Sequence, residues 1–174
     1  MKELNPEPNN LAREAILSVD RKYRYSLTRY YRGTLMSKRI CTFIMLNPST
    51  ADALSDDSTI RKCLGFIRRW DMHKLIVVNL FALRSTDPLE LSRTGVADPI
   101  GPDNDEYLVE GCQAADLVVC AWGNHGTYMD RGDEVLGILD RERIRPYRLG
   151  GLTALKQPRH PLYVPYQMDL GEMR

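Results

Sequence analysis

Four clusters of polar and aromatic residues could carry chemistry in this chain. Asn47, Ser49, Thr50 and Asp52 follow one apolar run. Asn79, Arg84 and Asp87 follow a second, and Trp122, Asn124 and His125 a third. Arg159 and His160 sit in a proline-rich stretch near the end. Asparagine presents one acceptor and two donors, which complements an amide-like edge such as that of a pyrimidine. Tryptophan offers a stacking face. A histidine beside a rigid proline, as in His160-Pro161, can donate to a developing anion or shuttle a proton. Asp52 or Asp87 could position a water. Arg61, near a helix start, could join Arg84 and Arg159 in clamping an anion. Structural uses stand beside these. Asn47 before Pro48 shapes a turn, and His125 can bond a loop carbonyl. Asp87 before Pro88 makes a good helix cap, and Arg61 fits a solvated helix face.

Placing these residues falls to buried strands, each ending in one cluster. Residues 40–46 are apolar except for Thr42 and break at Asn47-Pro48-Ser49-Thr50, where Pro48 cannot donate to a ladder. KLIVVNL from Lys74 and DLVVCAW from Asp116 read the same way, and residues 146–149 make a short fourth strand. Asp56-Asp57-Ser58-Thr59 is a helix start signal, with Ile60, Leu64 and Ile67 then falling at helical spacing to Trp70. Further helices are expected after the turn-rich 98–105, over 128–141 and, briefly, over 88–93. Residues 11–19 read as two helical turns capped by Asn9 or Asn10. Residues 22–32 alternate as a strand with one wet face carrying Arg24, Ser26 and Thr28. Too few residues follow for a crossover helix, so this strand is expected to form an antiparallel hairpin with the central one through the turn at 33–38.

Strands alternating with helices point to an α/β fold. The expected form is a three-layer sandwich around a mostly parallel sheet of four to five strands. The clusters would then meet at one sheet edge, beyond the strand carboxyl ends, where ligands bind in such folds.

With 174 residues, a single α/β domain is expected, preceded by a loose arm over residues 1–10. The net charge of +1 argues neither for nor against nucleic acid, since a local basic patch remains compatible with it. The four cysteines lack C-x-x-C spacing and read as buried free thiols. Asp103 and Asp105 read as helix-capping acids rather than metal ligands. P-loop, G-x-G-x-x-G, G-x-S-x-G and H-E-x-x-H motifs do not occur, so no cofactor and no metal are expected. No long apolar run or signal-like leader occurs, and a cytoplasmic protein without membrane attachment is expected.

LNPSTAD, DDSTIRKCLGF, VNLFALRSTDP, DPIGPDND, CAWGNHG and PRHPLYVP occur in this order. They resemble an uncharacterised family, mostly of bacteria and their phages, over about residues 22 to 166. The motif order also resembles the uracil-DNA glycosylase superfamily. In that superfamily a strand ends in a catalytic loop built on an Asp-Pro or Asn-Pro step, here Asn47-Pro48. A later strand ends in an Asn that reads the pyrimidine edge, here Asn79. Another ends in a Trp-Gly-like step, here Trp122-Gly123, and the series closes with a His-Pro motif, here His160-Pro161-Leu162. This chain departs from that pattern in having Ser49 after Pro48 and Leu162-Tyr163 after the final His-Pro.

The second resemblance implies a glycosylase-like fold and hydrolysis of the N-glycosidic bond of a nucleobase in DNA or a nucleotide. Asn47 or Asp52 would hold the attacking water, Asn79 would read the base, and His160 would stabilise the departing base. Two alternatives stand beside it. One is a non-catalytic module binding a nucleobase, nucleotide or nucleic acid in the same pocket, which the missing carboxylate at position 47 favours. The other is an enzyme acting on a small phosphorylated ligand held by Arg61, Arg84 and Arg159.

Overall fold

A computed structural model of the protein describes residues 11–31, 38–49, 55–87, 91 and 98–173. The expected arm at 1–10, most of the turn at 33–38 and all but Leu91 of the short helix at 88–93 lie outside these residues.

The fold is α/β, with a seven-stranded mixed sheet and, among the described residues, three α-helices. The strands are β1 (Leu11–Leu17), β2 (Arg24–Tyr31), β3 (Ile40–Met45), β4 (Lys74–Asn79), β5 (Leu117–Cys120), β6 (Pro146–Leu149) and β7 (Leu170–Glu172). The helices are α1 (Ser58–Arg69), α2 (Asn104–Gln113) and α3 (Arg131–Arg141). The sheet order is β1-β2-β4-β3-β5-β6-β7. The pairs β4–β3, β3–β5 and β5–β6 are parallel, and the outer pairs are antiparallel.

Alternation along the parallel strands builds two cores. Cys41, Phe43, Met45, Leu75, Val77, Val119 and Ala121 face α1, which buries Ile60, Cys63, Leu64, Phe66 and Ile67 against them. Ile44, Ile76, Val78, Val118, Cys120 and Trp122 pack with Leu108 and Cys112 of α2 and Val135, Ile138 and Leu139 of α3. Each large apolar side chain so buried contributes roughly 1.5–3 kcal/mol. All four cysteines are free and buried, and burial raises the pKa of each thiol. Among the described residues no helix is long and apolar enough to cross a membrane.

Several expectations are overturned. Residues 11–17 form a strand, not a helix, pairing with β2 from Leu11↔Tyr31 to Leu17↔Arg24. Helix propensity is a weak prior, and this pairing satisfies the hydrogen-bonding edge that β2 would otherwise leave open. The strand β2 does not form a hairpin with β3. It pairs with β4, which lies between them. The two strands lie two spacings apart, about 10 Å. Nor does β2 have a wet face, because side chains of both parities along it are buried. Arg24, Ser26, Thr28 and Arg29 are all buried. The third helix begins at Arg131 rather than 128, because Met129 and Asp130 adopt positive φ. The sheet also exceeds the expected four to five strands, since β1 and the three-residue β7 both join it.

Candidate functional site

The strand order reverses between β3 and β5, and α1 and α2 lie on opposite faces of the sheet. That reversal opens a crevice beyond the strand carboxyl ends, the usual ligand position in doubly wound sheets. A cavity of about 670 Å³ lies there, within the size range of small-molecule sites. Asn47, Ser49, Asn79, Trp122, Asn124, His125, Arg159 and His160 all line it. Thr50 and Asp52 fall outside the described residues. Arg61, Arg84 and Asp87 are not part of the lining. Arg61 is exposed and donates to the Asp56 carbonyl, Arg84 donates to the Arg21 carbonyl, and Asp87 closes a local turn with the Ser85 hydroxyl.

Asn47 ties two loops together. Its Nδ2 donates to the Ser85 carbonyl at 2.9 Å and the Pro48 carbonyl at 3.3 Å. Both amide hydrogens are therefore occupied, and Oδ1 remains as an acceptor. Asn79 ends β4, opposite Met45 in the parallel register and on the α1 side of the sheet. Only 2% of its surface is exposed, and its side chain has no hydrogen-bond partner among the described residues. The amide therefore keeps its donors and its acceptor open toward the cavity it lines. Its backbone is pinned from the other side of the sheet. Asn104 Nδ2 donates to the carbonyls of Asn79 and Leu80, each at 3.0 Å, and Arg131 Nε donates to that of Leu80.

Trp122 forms a wall rather than a free stacking platform. Its ring is 2% exposed, and Nε1 donates to Gln157 Oε1 at 2.7 Å. Gly126 packs directly on this ring, where a Cβ would lie 2.0 Å from Trp122 Cδ1. The Gly123 amide donates to the Pro158 carbonyl at 2.9 Å. Together these bonds bring the terminal segment, with Arg159 and His160, onto the end of β5.

His160 caps the 3₁₀ turn Pro161–Tyr163, and its Nδ1 accepts from the Leu162 amide at 3.4 Å. That bond leaves Nε2 as the donor of a neutral ring. Burial pulls its pKa below the ordinary 6.5, partly opposed by Asp57. The folded protein thus binds fewer protons at this site than the unfolded chain does. Stability from this residue is complete above about pH 6.5 and is lost as pH falls through that value toward the lowered pKa. His160→Gln should therefore flatten the acid side of a Tm-against-pH curve between pH 7 and 5 (on the order of the histidine range). An unchanged slope would contradict a partly buried ring with a lowered pKa.

Sequence reasoning missed important lining residues. Asp57 read only as part of a helix start. Its Oδ1 does cap α1, accepting from the Ile60 amide at 2.8 Å, but Oδ2 accepts from Ser49 Oγ at 3.3 Å and the residue lines the cavity. Arg24 read as solvent-facing, yet it is 6% exposed and also lines the cavity. Burial, and after it the nearby Arg84, lower its pKa to about 10, with Asp57 opposing. Tyr163, 80% exposed, stands at the rim with its ring centroid 5.8 Å from that of His160. The Asp56-Asp57 pair was visible in the sequence, but nothing there separated a capping carboxylate from one that also lines a cavity.

Among the described residues no group of three or more His, Cys, Asp or Glu is placed to hold a metal ion. The sequence profile of a family described as protein of unknown function (DUF1643) matches residues 24–162. No curated protein and no solved structure matches the chain.

Proposed function

We propose, for a chain that belongs to the DUF1643 family of proteins of unknown function, that the cavity binds a pyrimidine nucleotide unit and hydrolyses its N-glycosidic bond. The observation that carries this reading is the presence of Asn47, Asn79, Asp57 and His160 around one cavity at the carboxyl edge of the parallel strands. The motif order adds support through its likeness to the uracil-DNA glycosylase superfamily, and we read the fold as glycosylase-like on that basis.

The roles follow from the hydrogen-bonding state of each side chain. Asn79, buried and without a protein partner, reads the base edge with its donor and acceptor. Asn47 Oδ1 and the Asp57 carboxylate are both acceptors, so a water donating to them has its lone pair free to attack. The water oxygen bonds to the anomeric carbon and its proton passes to Asp57. The glycosidic C–N bond breaks, and its electron pair leaves on the base. Nε2–H of the neutral His160 donates to the resulting base anion. The carboxylate absent from position 47 is thus supplied by the N-cap of α1. Leu162 and Tyr163, exposed beside His160, suit contact with a neighbouring base if the nucleotide belongs to a strand.

The test is an assay on labelled oligonucleotides carrying uracil, mismatched thymine, hypoxanthine or 5-substituted pyrimidines, followed by alkali to cut abasic sites. Cleavage by the wild type that falls about 10²-fold or more in Asn47→Ala and in His160→Ala is expected. Cleavage retained in both would place the chemistry elsewhere.

A further inference from the structure

Three buried arginines differ in how their charge is met. Arg29, fully buried, donates through Nε to Asp56 Oδ1 at 2.7 Å. Arg131, also fully buried, donates to the Leu80 carbonyl and pairs with Glu134 and Asp105. Arg24 lies on the same strand as Arg29 but lines the cavity, and its Nε has no hydrogen-bond partner among the described residues. Its side chain forms no hydrogen bond or ion pair with any described residue. A desolvated guanidinium is costly unless an anion or several acceptors meet it. Its planar fork matches a phosphoryl oxygen pair better than any neutral partner does.

The cavity is also larger than a nucleobase alone would fill. Asn79 ends β4, and Arg24 begins β2, the next strand in the sheet. A base on Asn79 and a phosphoryl group on Arg24 are therefore within the compass of one nucleotide. Asp57, on the same lining, is engaged by the Ile60 amide and Ser49 hydroxyl rather than by Arg24.

We infer that Arg24 is a phosphoryl-binding residue, so that the ligand is a nucleotide rather than a free base or nucleoside. This rests on the reading of the cavity as a nucleotide site. The phosphoryl group could belong to a free nucleotide or to a strand backbone, and the two sources are separable.

The experiment uses the full chain labelled with ¹⁵N-arginine. Inorganic phosphate is titrated in while the arginine Nε–H signals are followed, with the Arg24 signal assigned by its absence in Arg24→Lys. Affinities for deoxyuridine, deoxyuridine 5′-monophosphate and a uracil-containing single strand are then compared. The expected result is a saturable shift of the Arg24 signal and a monophosphate or strand that binds about tenfold to a hundredfold tighter than the nucleoside. That advantage should vanish in Arg24→Gln. Tight binding of the monophosphate identifies a free nucleotide, and tight binding of the strand alone identifies a backbone phosphate. An unmoved Arg24 signal, or equal affinity for nucleoside and monophosphate with no gain for the strand, overturns the inference. The wild-type ratio decides this even if Arg24→Gln does not fold. A phosphate-shifted Arg24 without base release would sink the hydrolytic reading alone, whereas base release with Arg24 unmoved would sink only the phosphoryl assignment.

Discussion

Replacing Asp57 with asparagine should slow glycosidic cleavage by about 10²- to 10⁴-fold while leaving the melting temperature nearly unmoved. The separation arises because the proposed mechanism gives Asp57 two jobs that asparagine does not share equally. As the N-cap of α1 its Oδ1 accepts from the Ile60 amide at 2.8 Å. Asparagine caps a helix about as well as aspartate does. As a proton acceptor on the cavity wall, the carboxylate has no neutral substitute. Asp57→Ala should lose both functions, adding a stability cost of about 1 kcal/mol, or about 2–4 °C in a chain of this size. Single-turnover rates and thermal melts on the same preparations test this. If Asp57→Asn cleaves at the wild-type rate, Asp57 is a cap and nothing more.

The second large effect is on stability. Asp56 precedes the cap, and its carboxylate meets Arg29 at 2.7 Å and Arg13 at 3.2 Å. The Arg29 side chain is fully buried and that of Asp56 is 8% exposed. Asp56→Ala removes the carboxylate that the Nε of the buried Arg29 guanidinium meets. Breaking a buried pair from one side costs about 3–5 kcal/mol, which corresponds to a fall in Tm on the order of 10 °C. An apolar exchange of the two most buried groups, Arg29→Met with Asp56→Leu, should be milder, because the fully buried guanidinium leaves together with its carboxylate. A single mutant that melts like the wild type would mean that water reaches Arg29. The pair also fixes the start of α1 against β2, so it indirectly holds Asp57 and Arg24 across the same cavity.

These two acids show where the sequence was readable and where it was not. The apolar runs ending at Leu46, Leu80 and Trp122 announced the parallel strands, and alternation with helices announced the α/β fold. A polar cluster after each run announced which edge of the sheet to examine. Strand pairing was less legible. The residues of β1 carry helix-compatible spacing, and only the open edge of β2 decides their conformation. The placement of β4 between β2 and β3 is a property of the whole sheet, with no local signature. Arg24 was misplaced for the same reason, since alternation gives a face but not what covers it. Asp57 was legible as a cap because capping is local. Its place on the cavity wall depends on a cavity assembled from several separate parts of the chain.

The most direct measurement is the release of free base. Wild-type protein in excess over a uracil-containing single strand is quenched over time, and free uracil and abasic sites are quantified separately. The account expects the two to rise together in equal amounts and to be suppressed in Asp57→Asn. Saturable binding of the strand with neither product formed would contradict hydrolysis and leave a nucleotide-binding module in its place.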